Sequence, residues 1–445
     1  MHAHGPEARL AAGCLAFAVL CLASSQPCRA DEPQEDLSLH AQATYVPQYK
    51  PSFPALYTGP HSLGPEAAHA YSFSTTLFAG ARLGPDLEGY ADLEGTQGFP
   101  FSNQTGLGGF SNGELAKTAG TEIKWYRARL FVRGTFGYGG GGETIPADQN
   151  QLAGTVDRRR LVVTAGNLSI ADVFDDNAYA HDPREDFLNS AVISSGAYDY
   201  AADTRGYTWG IVAEWHEPEW SLRAARFAEP EEPNGQTLDS RMFQHYGDQV
   251  ELERSLAMRG REGKLRVLAF RNVAVMGRYR DALHLGEDQG QSPDVSLVRR
   301  RNVKWGLALN VEQEIAPELG FFARASWSDG QTETYSFAEI DRSIAFGASL
   351  GGGRWGRPDD RLGVALAWNG LSCAHRDYLA AGGLGYFLGD GRLSYGPERI
   401  VEAYYRIVVL KGIELSIDAQ RIANPGYNRD RGPARFYGLR LHAEL

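Results

Sequence analysis

Long hydrophobic runs are missing from nearly all of this 445-residue chain. After residue 30, no segment approaches the ~20 consecutive apolar residues that a transmembrane helix needs, so the sequence argues against a helical membrane protein. Cysteine is also scarce, because three of the four cysteines lie within the first 28 residues. The remaining one, Cys373, cannot form an intramolecular disulfide by itself, and we interpret it as a small packed residue.

Positive charge is also in short supply. The chain has 44 lysines and arginines against 55 aspartates and glutamates, and its formal net charge is −11. Nucleic-acid binding is therefore disfavoured. Glycine and aromatic residues are abundant instead, with 52 glycines and 11% aromatic residues. That composition suits many strands and turns better than helices.

The N-terminus has the pattern of a secretion signal. Arg9 precedes an apolar stretch over residues 10–23, and Cys28-Arg29-Ala30 is an imperfect small-x-small cleavage site. The stretch is too short to span a bilayer as a helix, and the alternative is a buried N-terminal helix. We predict a cleaved signal peptide over residues 1–30 and export of the remaining chain.

Most of the exported chain alternates between apolar and polar residues. In Ile413–Arg421 the odd positions are mainly apolar and the even positions polar, so a strand there has one apolar and one polar face. Residues 31–67 are rich in proline and polar residues, and we predict an N-terminal extension or plug. The predicted strands are 70–83, 86–97, 119–136, 158–169, 204–216, 219–228, 246–258, 263–275, 302–315, 319–335, 342–352, 361–371, 399–410, 413–423 and 435–445.

Connections of two lengths separate these strands. Very short turns at 217–219, 261–263, 316–318 and 411–412 alternate with longer stretches rich in Gly, Asp, Asn and Pro. The longer stretches are 138–157, 170–203, 228–245, 280–300 and 376–398. Short turns on the periplasmic side and long loops outside are typical of outer-membrane barrels. We predict an all-β, transmembrane antiparallel β-barrel over residues 68–445, with 16 strands or alternatively 18, whose long loops are extracellular or folded inward.

Aromatic residues support a barrel over a soluble β-sandwich. Tyr207, Trp209, Ile211, Ala213 and Trp215 share one predicted face of a single strand. Eight residues at ~3.3 Å span ~26 Å along the strand, or about 20 Å of height when tilted, close to the ~25 Å apolar band of such barrels. A sandwich would place these residues in its core instead.

Two stretches of the sequence resemble the carbohydrate-selective porin family of the Gram-negative outer membrane, the OprB type. The first is Gly166–Asn177 (GNLSIADVFDDN), which continues through Ala180–Asn189 to Asp203–Gly210. The second begins with His375–Gly385 (HRDYLAAGGLG). It continues through Phe387–Gly391, Tyr395–Glu398, Glu402–Tyr405, Asn424–Asn428 and Arg431–Pro433. The order and density of these fragments make the resemblance specific over roughly residues 65–445.

The resemblance implies a monomeric, 16-stranded barrel in the cell outer membrane that lets carbohydrates diffuse passively into the periplasm. Expected partners are small carbohydrates, outer-membrane lipid and lipopolysaccharide, and the barrel insertion machinery. No enzymatic activity and no cofactor are expected. One departure concerns the last residue: many outer-membrane barrels end in an aromatic residue, and Leu445 predicts less efficient assembly.

The long loop at 170–203 is the first candidate for selecting a substrate. Sugars present hydroxyl arrays and apolar faces, so a pore for them needs bidentate donors and acceptors and weak binding. The acidic cluster from Asp172 to Asp182 also suggests a Ca²⁺ site, although its spacing differs from the twelve-residue calcium loop. A third reading is a structural hydrogen-bond network that holds the loop to the wall. We interpret Phe174 and Phe187 as anchors of this loop.

A second cluster lies between residues 376 and 406. Glu402, Tyr404 and Arg406 share parity on one predicted strand, and a charge facing lipid would be costly, so they should face the lumen. Contact with sugar and pairing across the wall both remain open for them. The residues predicted to bind substrate or to line the pore are Asp172, Asp175, Asn177, Asp182, Arg184, Arg205, Arg376, Glu398, Glu402, Tyr404, Arg406 and Arg431.

Two other functions fit parts of the pattern. A secreted, soluble β-rich sugar-binding protein would need no channel. A glycoside hydrolase needs two carboxylates at about 5–9.5 Å, and Asp172 and Asp175 are one such candidate pair. The zinc motif His-Glu-x-x-His does not occur in the sequence.

Overall fold

Sixteen antiparallel strands close into a single barrel in the computed structural model, which describes residues 34–336 and 339–445. Consecutive barrel strands are neighbours, and the first strand pairs with the last to complete the cylinder. The predicted fold class and strand number of 16 are confirmed. The predicted signal peptide over residues 1–30 lies outside the described residues.

The barrel strands and the smaller elements have the following bounds. The barrel consists of β1 (Leu37–Lys50), β2 (Ala68–Gly84), β3 (Leu87–Phe99), β4 (Lys124–Gly137), β7 (Arg160–Leu168), β8 (Thr208–Glu217), β9 (Trp220–Ala228), β10 (Tyr246–Met258), β11 (Arg261–Met276), β12 (Arg300–Ala316), β13 (Leu319–Ser328), β14 (Arg342–Gly351), β15 (Arg361–Gly370), β16 (Glu398–Leu410), β17 (Ile413–Ala423) and β18 (Ala434–Glu444). A separate hairpin is formed by β5 (Gly142–Ile145) and β6 (Gly154–Asp157). The α-helices are α1 (Ser190–Ile193), α2 (Tyr279–Gln289) and α3 (Cys373–Ala380). Short 3₁₀ turns span Phe101–Gln104, Ile170–Asp172, Val295–Val298, Gly352–Trp355 and Pro425–Tyr427.

The helices are all short and lie in the connections. Within residues 34–336 and 339–445, none of them combines the length and the apolar character needed to cross a membrane.

The alternating pattern of the sequence becomes the two faces of the barrel wall. In β17, Asp418 and Gln420 point inward and are buried, whereas Ile417 points outward and is 53% exposed. In β8, Trp209 and Trp215 lie on the outer face, as predicted. An apolar outer surface of this kind suits contact with lipid, and the polar inner surface suits water.

The first strand corrects the predicted N-terminal extension over residues 31–67. The barrel begins at Leu37 rather than at residue 68, because β1 pairs with both β2 and β18. The alternation is present in β1, but the prediction followed the proline-rich, polar composition of residues 31–67. Pro47 lies within β1 and has no amide hydrogen to donate. In the pairing of β1 with β18, Tyr45 pairs with Leu441 and the next paired residue of β1 is Gln48. The ladder is therefore interrupted around Pro47.

Long and short connections lie at opposite ends of the barrel. The turns after β8, β12 and β16 are short, as predicted, and the turn after β10 is Arg259-Gly260, just before the predicted 261–263. Residues 138–159 are the exception, because they join β4 to β7 at the short-turn end although 138–157 was predicted among the long outer loops. This stretch contains the β5–β6 hairpin, and we call it the hairpin segment.

Tyr207 is a second correction. It shares parity with Trp209, but it precedes β8, is only 8% exposed, and its hydroxyl lies 3.2 Å from Glu94 Oε2 inside the barrel. The alternation rule applies within a strand and does not extend to the residue before it.

Candidate functional site

A long connection folds into the barrel between β7 and β8. We call residues 169–207 the inner loop. Phe174, Phe187 and Asn189 of this loop are completely buried. Phe187 meets the ring of Tyr404 edge-on, with 4.8 Å between the ring centroids. The two phenylalanines are therefore loop anchors, as the sequence suggested.

Two glutamates of β16 that were predicted as site residues accept hydrogen bonds from the backbone amides of loops. Glu402 accepts hydrogen bonds from the amides of Leu188 (2.5 Å) and Asn189 (3.2 Å) of the inner loop. Glu398 accepts from Gly108 and Gly109, at 3.1 and 2.7 Å, and also from the Gly426 amide at 3.0 Å. Both side chains face the barrel interior, but their oxygens are used to position loops.

Asp175 and Asn177 belong to a buried network between the inner loop and the wall. Asp175 accepts from the Ser195 amide at 2.5 Å and from Asn310 Nδ2 at 2.8 Å, and pairs with Arg324 at 3.3 Å. Asn177 donates to Asn310 Oδ1 at 2.8 Å. This geometry matches the structural-network reading of the acidic cluster.

The same contacts give the calcium hypothesis no support. Asp172 pairs with Arg129, Asp175 with Arg324, and Asp182 accepts from the amide of Arg184. Each of these carboxylates therefore already has a partner within the protein, which favours the structural-network reading of the cluster.

A cavity of about 920 Å³ lies in the lumen between the inner loop and the hairpin segment. Asp172, Asp182 and Arg184 are the predicted site residues that line it. Charged side chains of both signs dominate the lining. Among them are Arg82, Arg129, Arg133, Glu185, Glu214 and Glu444.

Arg184 and Arg129 are each oriented by two carboxylates. Arg184 pairs with Glu94 at 3.3 Å and with Glu114 at 3.0 Å. Two nitrogens of Arg129 donate hydrogen bonds to the two carboxylate oxygens of Asp172, at 2.6 and 2.7 Å. A third nitrogen donates to Asp92 at 3.1 Å. Bidentate pairs of this kind fix the guanidinium plane.

Arg129 and Arg133 were absent from the sequence-based prediction. Simple alternation puts Arg127 and Arg129 on the same face of β4. The register shifts at this point, so that Asp92 faces Arg129 while the next residue, Leu93, faces Arg127. Ala128 is the extra residue of this β-bulge, and the side chains after it change face. Arg127 stacks outside on Trp209 at 5.1 Å, whereas Arg129 and Arg133 face the cavity.

The remaining predicted residues do not line the cavity. Tyr404 and Arg406 face the interior, as predicted. Arg406 does not line the cavity itself, but it donates a hydrogen bond to Glu185, which does, at 2.9 Å. Arg205 pairs with its neighbour Asp203 at 2.7 Å. Two further arginines lie among the long loops: Arg376 stacks on Tyr395 at 4.7 Å, and the buried Arg431 donates to the carbonyls of Tyr57 and Leu63.

A closed barrel of sixteen strands, apolar outside and polar inside, with a loop folded into its lumen, defines an outer-membrane porin. The model of the carbohydrate-selective porin, OprB family, matches residues 61–445. The chain belongs to this family, and it is an outer-membrane channel for carbohydrates. This family and fold indicate a channel rather than an enzyme.

Solved structures support the fold. The high-pH structure of OprB from Pseudomonas putida aligns with a TM-score of 0.70 and 16% identity, covering 92% of this chain and 94% of that chain. The outer-membrane channel DcaP of Acinetobacter baumannii aligns with a TM-score of 0.51 and 9% identity, covering 94% of this chain and 100% of that chain. No curated protein sequence matches this chain.

The hydrolase alternative has no support in the geometry. Asp172 lines the cavity and is held by Arg129, whereas Asp175 is buried in the network with Arg324 and Asn310. A glycosidase needs both carboxylates on the same substrate.

Proposed function

We propose that the protein lets mono- or small oligosaccharides diffuse passively into the periplasm through the cavity between the inner loop and the hairpin segment. The observation that carries this proposal is the lining of the cavity. Its guanidinium and carboxylate groups offer planar donors and acceptors that match adjacent sugar hydroxyls. Binding is weak enough for release because water and neighbouring charges compete for the same groups. We propose no catalytic activity for this site.

Arg133 is the side chain best placed to meet a passing sugar. Its guanidinium lies over the rings of Tyr90 and Phe131, at 5.1 and 5.3 Å, which holds it against the wall. It donates to the carbonyl of Asn150 at 2.9 Å through one nitrogen. A guanidinium has five N–H donors, so further donors remain to bind hydroxyl groups.

Arg133→Ala is expected to weaken sugar binding in the pore. Loss of one or two hydrogen bonds from a charged group corresponds to about 1.5–3 kcal/mol each at full strength. The measurement is the sugar-induced reduction of ion conductance in planar bilayers, together with liposome swelling for a panel of sugars.

Arg127→Ala is the matched control, because Arg127 lies on the same strand and stacks on Trp209 outside the barrel. Arg127→Ala should leave sugar block unchanged, and Arg133→Lys should restore part of it. Equal sugar block in Arg133→Ala and the native protein would contradict the proposed role of Arg133. The absence of any sugar flux through the native protein would contradict the proposed function itself.

We also propose that outer-membrane lipopolysaccharide binds the outer face of the barrel at Arg399, Arg421 and Arg435, the arginine patch. Arg421 and Arg435 are direct partners in the register of β17 and β18, and all three side chains are exposed. Within the described ranges, no carboxylate pairs with any of the three. Like charges directly opposite each other are destabilising, and phosphate groups would relieve the repulsion.

The double variant Arg421→Ala/Arg435→Ala is expected to lose much of its lipopolysaccharide binding while its sugar flux is unchanged. Each arginine near a phosphate contributes roughly 1 kcal/mol, so the pair corresponds to about a tenfold to thirtyfold loss in affinity. Binding is measured with the delipidated protein in detergent. Arg254→Ala is the control, because Arg254 is an exposed arginine of β10 near the short-turn end. An equal loss of lipopolysaccharide binding in the double variant and in Arg254→Ala would contradict the proposed role of the arginine patch.

The remaining expectations are a monomeric channel and insertion by the barrel insertion machinery. One chain closes the cylinder by itself, so a single copy is enough to enclose a pore. We therefore propose that the functional unit is one chain.

A further inference from the structure

Three side chains with metal-binding atoms meet at the short-turn end of the lumen. Glu185 comes from the inner loop, and His442 and Glu444 come from β18. One ligand atom of each lies within 4.8 Å of the other two. His442 and Glu444 are two residues apart on one strand, so both face the lumen. Glu185 and Glu444 also line the cavity.

The imidazole of His442 is poised to donate a lone pair. The residue is only 3% exposed, and its Nδ1 atom lies 2.8 Å from Thr44 Oγ1. Its Nε2 atom is buried and has no hydrogen-bond partner, and it lies 3.7 Å from Glu444 Oε2. A histidine whose Nδ1 is held by a neighbour, with Nε2 free, is the arrangement that orients an imidazole toward a metal.

Neighbouring side chains hold the two carboxylates and leave oxygens free. Arg406 donates to Glu185 Oε2 at 2.9 Å, and Gln149 of the hairpin segment donates to Glu444 Oε1 at 3.0 Å. Each contact uses one oxygen of its carboxylate. Glu185 Oε1 and Glu444 Oε2 therefore remain for another ligand.

We propose that Glu185, His442 and Glu444 bind a divalent transition-metal ion of the Zn²⁺ class. One imidazole nitrogen and two carboxylate oxygens are ligands that Zn²⁺ accepts at about 2.0–2.2 Å, and a fourth ligand completes its tetrahedron. His40 is a candidate for that position, because it faces the lumen two residues from Gln42, the register partner of Glu444. Its Nε2 atom is also buried without a hydrogen-bond partner.

A bound ion would change the pore as well as the site. It would place two positive charges beside the cavity and tie the inner loop, through Glu185, to the barrel wall at β18. Ionic conductance or ion selectivity is therefore expected to change when ZnCl₂ is added. This second readout rests on the proposed channel function, whereas direct metal binding does not.

The test uses the full protein, purified in detergent and stripped of metal with a chelator. Titration with ZnCl₂ alone in a calorimeter is expected to show one saturable site. His442→Gln is expected to weaken binding by about tenfold or more, since it removes the only imidazole of the three. His284→Gln is the control, because His284 is exposed on α2. Heat-modifiable migration in gels checks that each variant is folded, and Glu444→Gln provides a second variant.

Two results would overturn the inference. One is the absence of saturable Zn²⁺ binding to the native protein. The other is equal affinity in the native protein, His442→Gln and Glu444→Gln, which would place the ion elsewhere. Liposome swelling with sugars, measured on the same metal-free protein, tests the channel independently of the metal.

Discussion

Glu402→Ala is expected to release the inner loop and to give a larger, less selective pore. The side chain is completely buried, and its oxygens accept hydrogen bonds from the amides of Leu188 and Asn189. Glu402→Ala would leave these two amides buried without an acceptor, and each unsatisfied buried amide costs about 1–3 kcal/mol. The inner loop would move away from β16 so that water can accept hydrogen bonds from these amides, and this movement would widen the lumen.

Single-channel conductance and sugar block in planar bilayers measure this effect. Conductance should rise and become noisier, and discrimination between sugars should fall, while the barrel stays heat-modifiable. Glu314→Gln is the control, because Glu314 pairs with Arg261 beside a short turn, at 2.7 Å. Native conductance and native sugar block in Glu402→Ala would show that the anchors Phe174 and Phe187 suffice to hold the loop.

The parity of β16 showed which way Glu402 points, but not what it contacts. Alternation is a local property of a strand, so the sequence placed Glu402, Tyr404 and Arg406 inside the barrel correctly. The partners of Glu402 lie more than 200 residues away in the sequence. Which long loop enters the lumen depends on how all the loops fill it together, and no local pattern records that.

Strand irregularities account for the other differences. β1 alternates well, yet the proline-rich, polar composition of residues 31–67 led to the prediction of an extension rather than a strand. The extra residue Ala128 turns the side chains of Arg129 and Arg133 inward, and a bulge leaves little trace in the sequence. The cavity lining was therefore predicted in part, through Asp172, Asp182 and Arg184, while the two arginines of β4 were missed.

A buried histidine among the long loops makes their stability depend on pH. His375 of α3 is completely buried, lies 3.0 Å from Asp341 and 3.5 Å from Glu339, and stacks on Tyr279 of α2 at 4.3 Å. Burial lowers the pKa of His375, but the two carboxylates outweigh burial and raise it to about 9, from 6.5. The protonated ring therefore balances two carboxylates inside the loop cluster.

The loop cluster is expected to loosen at alkaline pH. Because the folded pKa lies above the unfolded one, the contribution of His375 is complete below about pH 6.5 and is lost as pH rises through about 9. A raised pKa of this size corresponds to roughly 3 kcal/mol. His375→Ala should remove a similar amount at pH 7, because it leaves Asp341 and Glu339 buried without this cation.

Hydrogen exchange of the amides in α2 and α3 measures this local stability, after correction for the intrinsic exchange rate at each pH. In the native protein, protection should fall between pH 7 and pH 10, and in His375→Ala it should already be low at pH 7. His284→Ala, an exposed position on α2, should exchange like the native protein. Protection that is independent of pH in the native protein would mean that packing against Tyr279, rather than charge on His375, holds the two helices together.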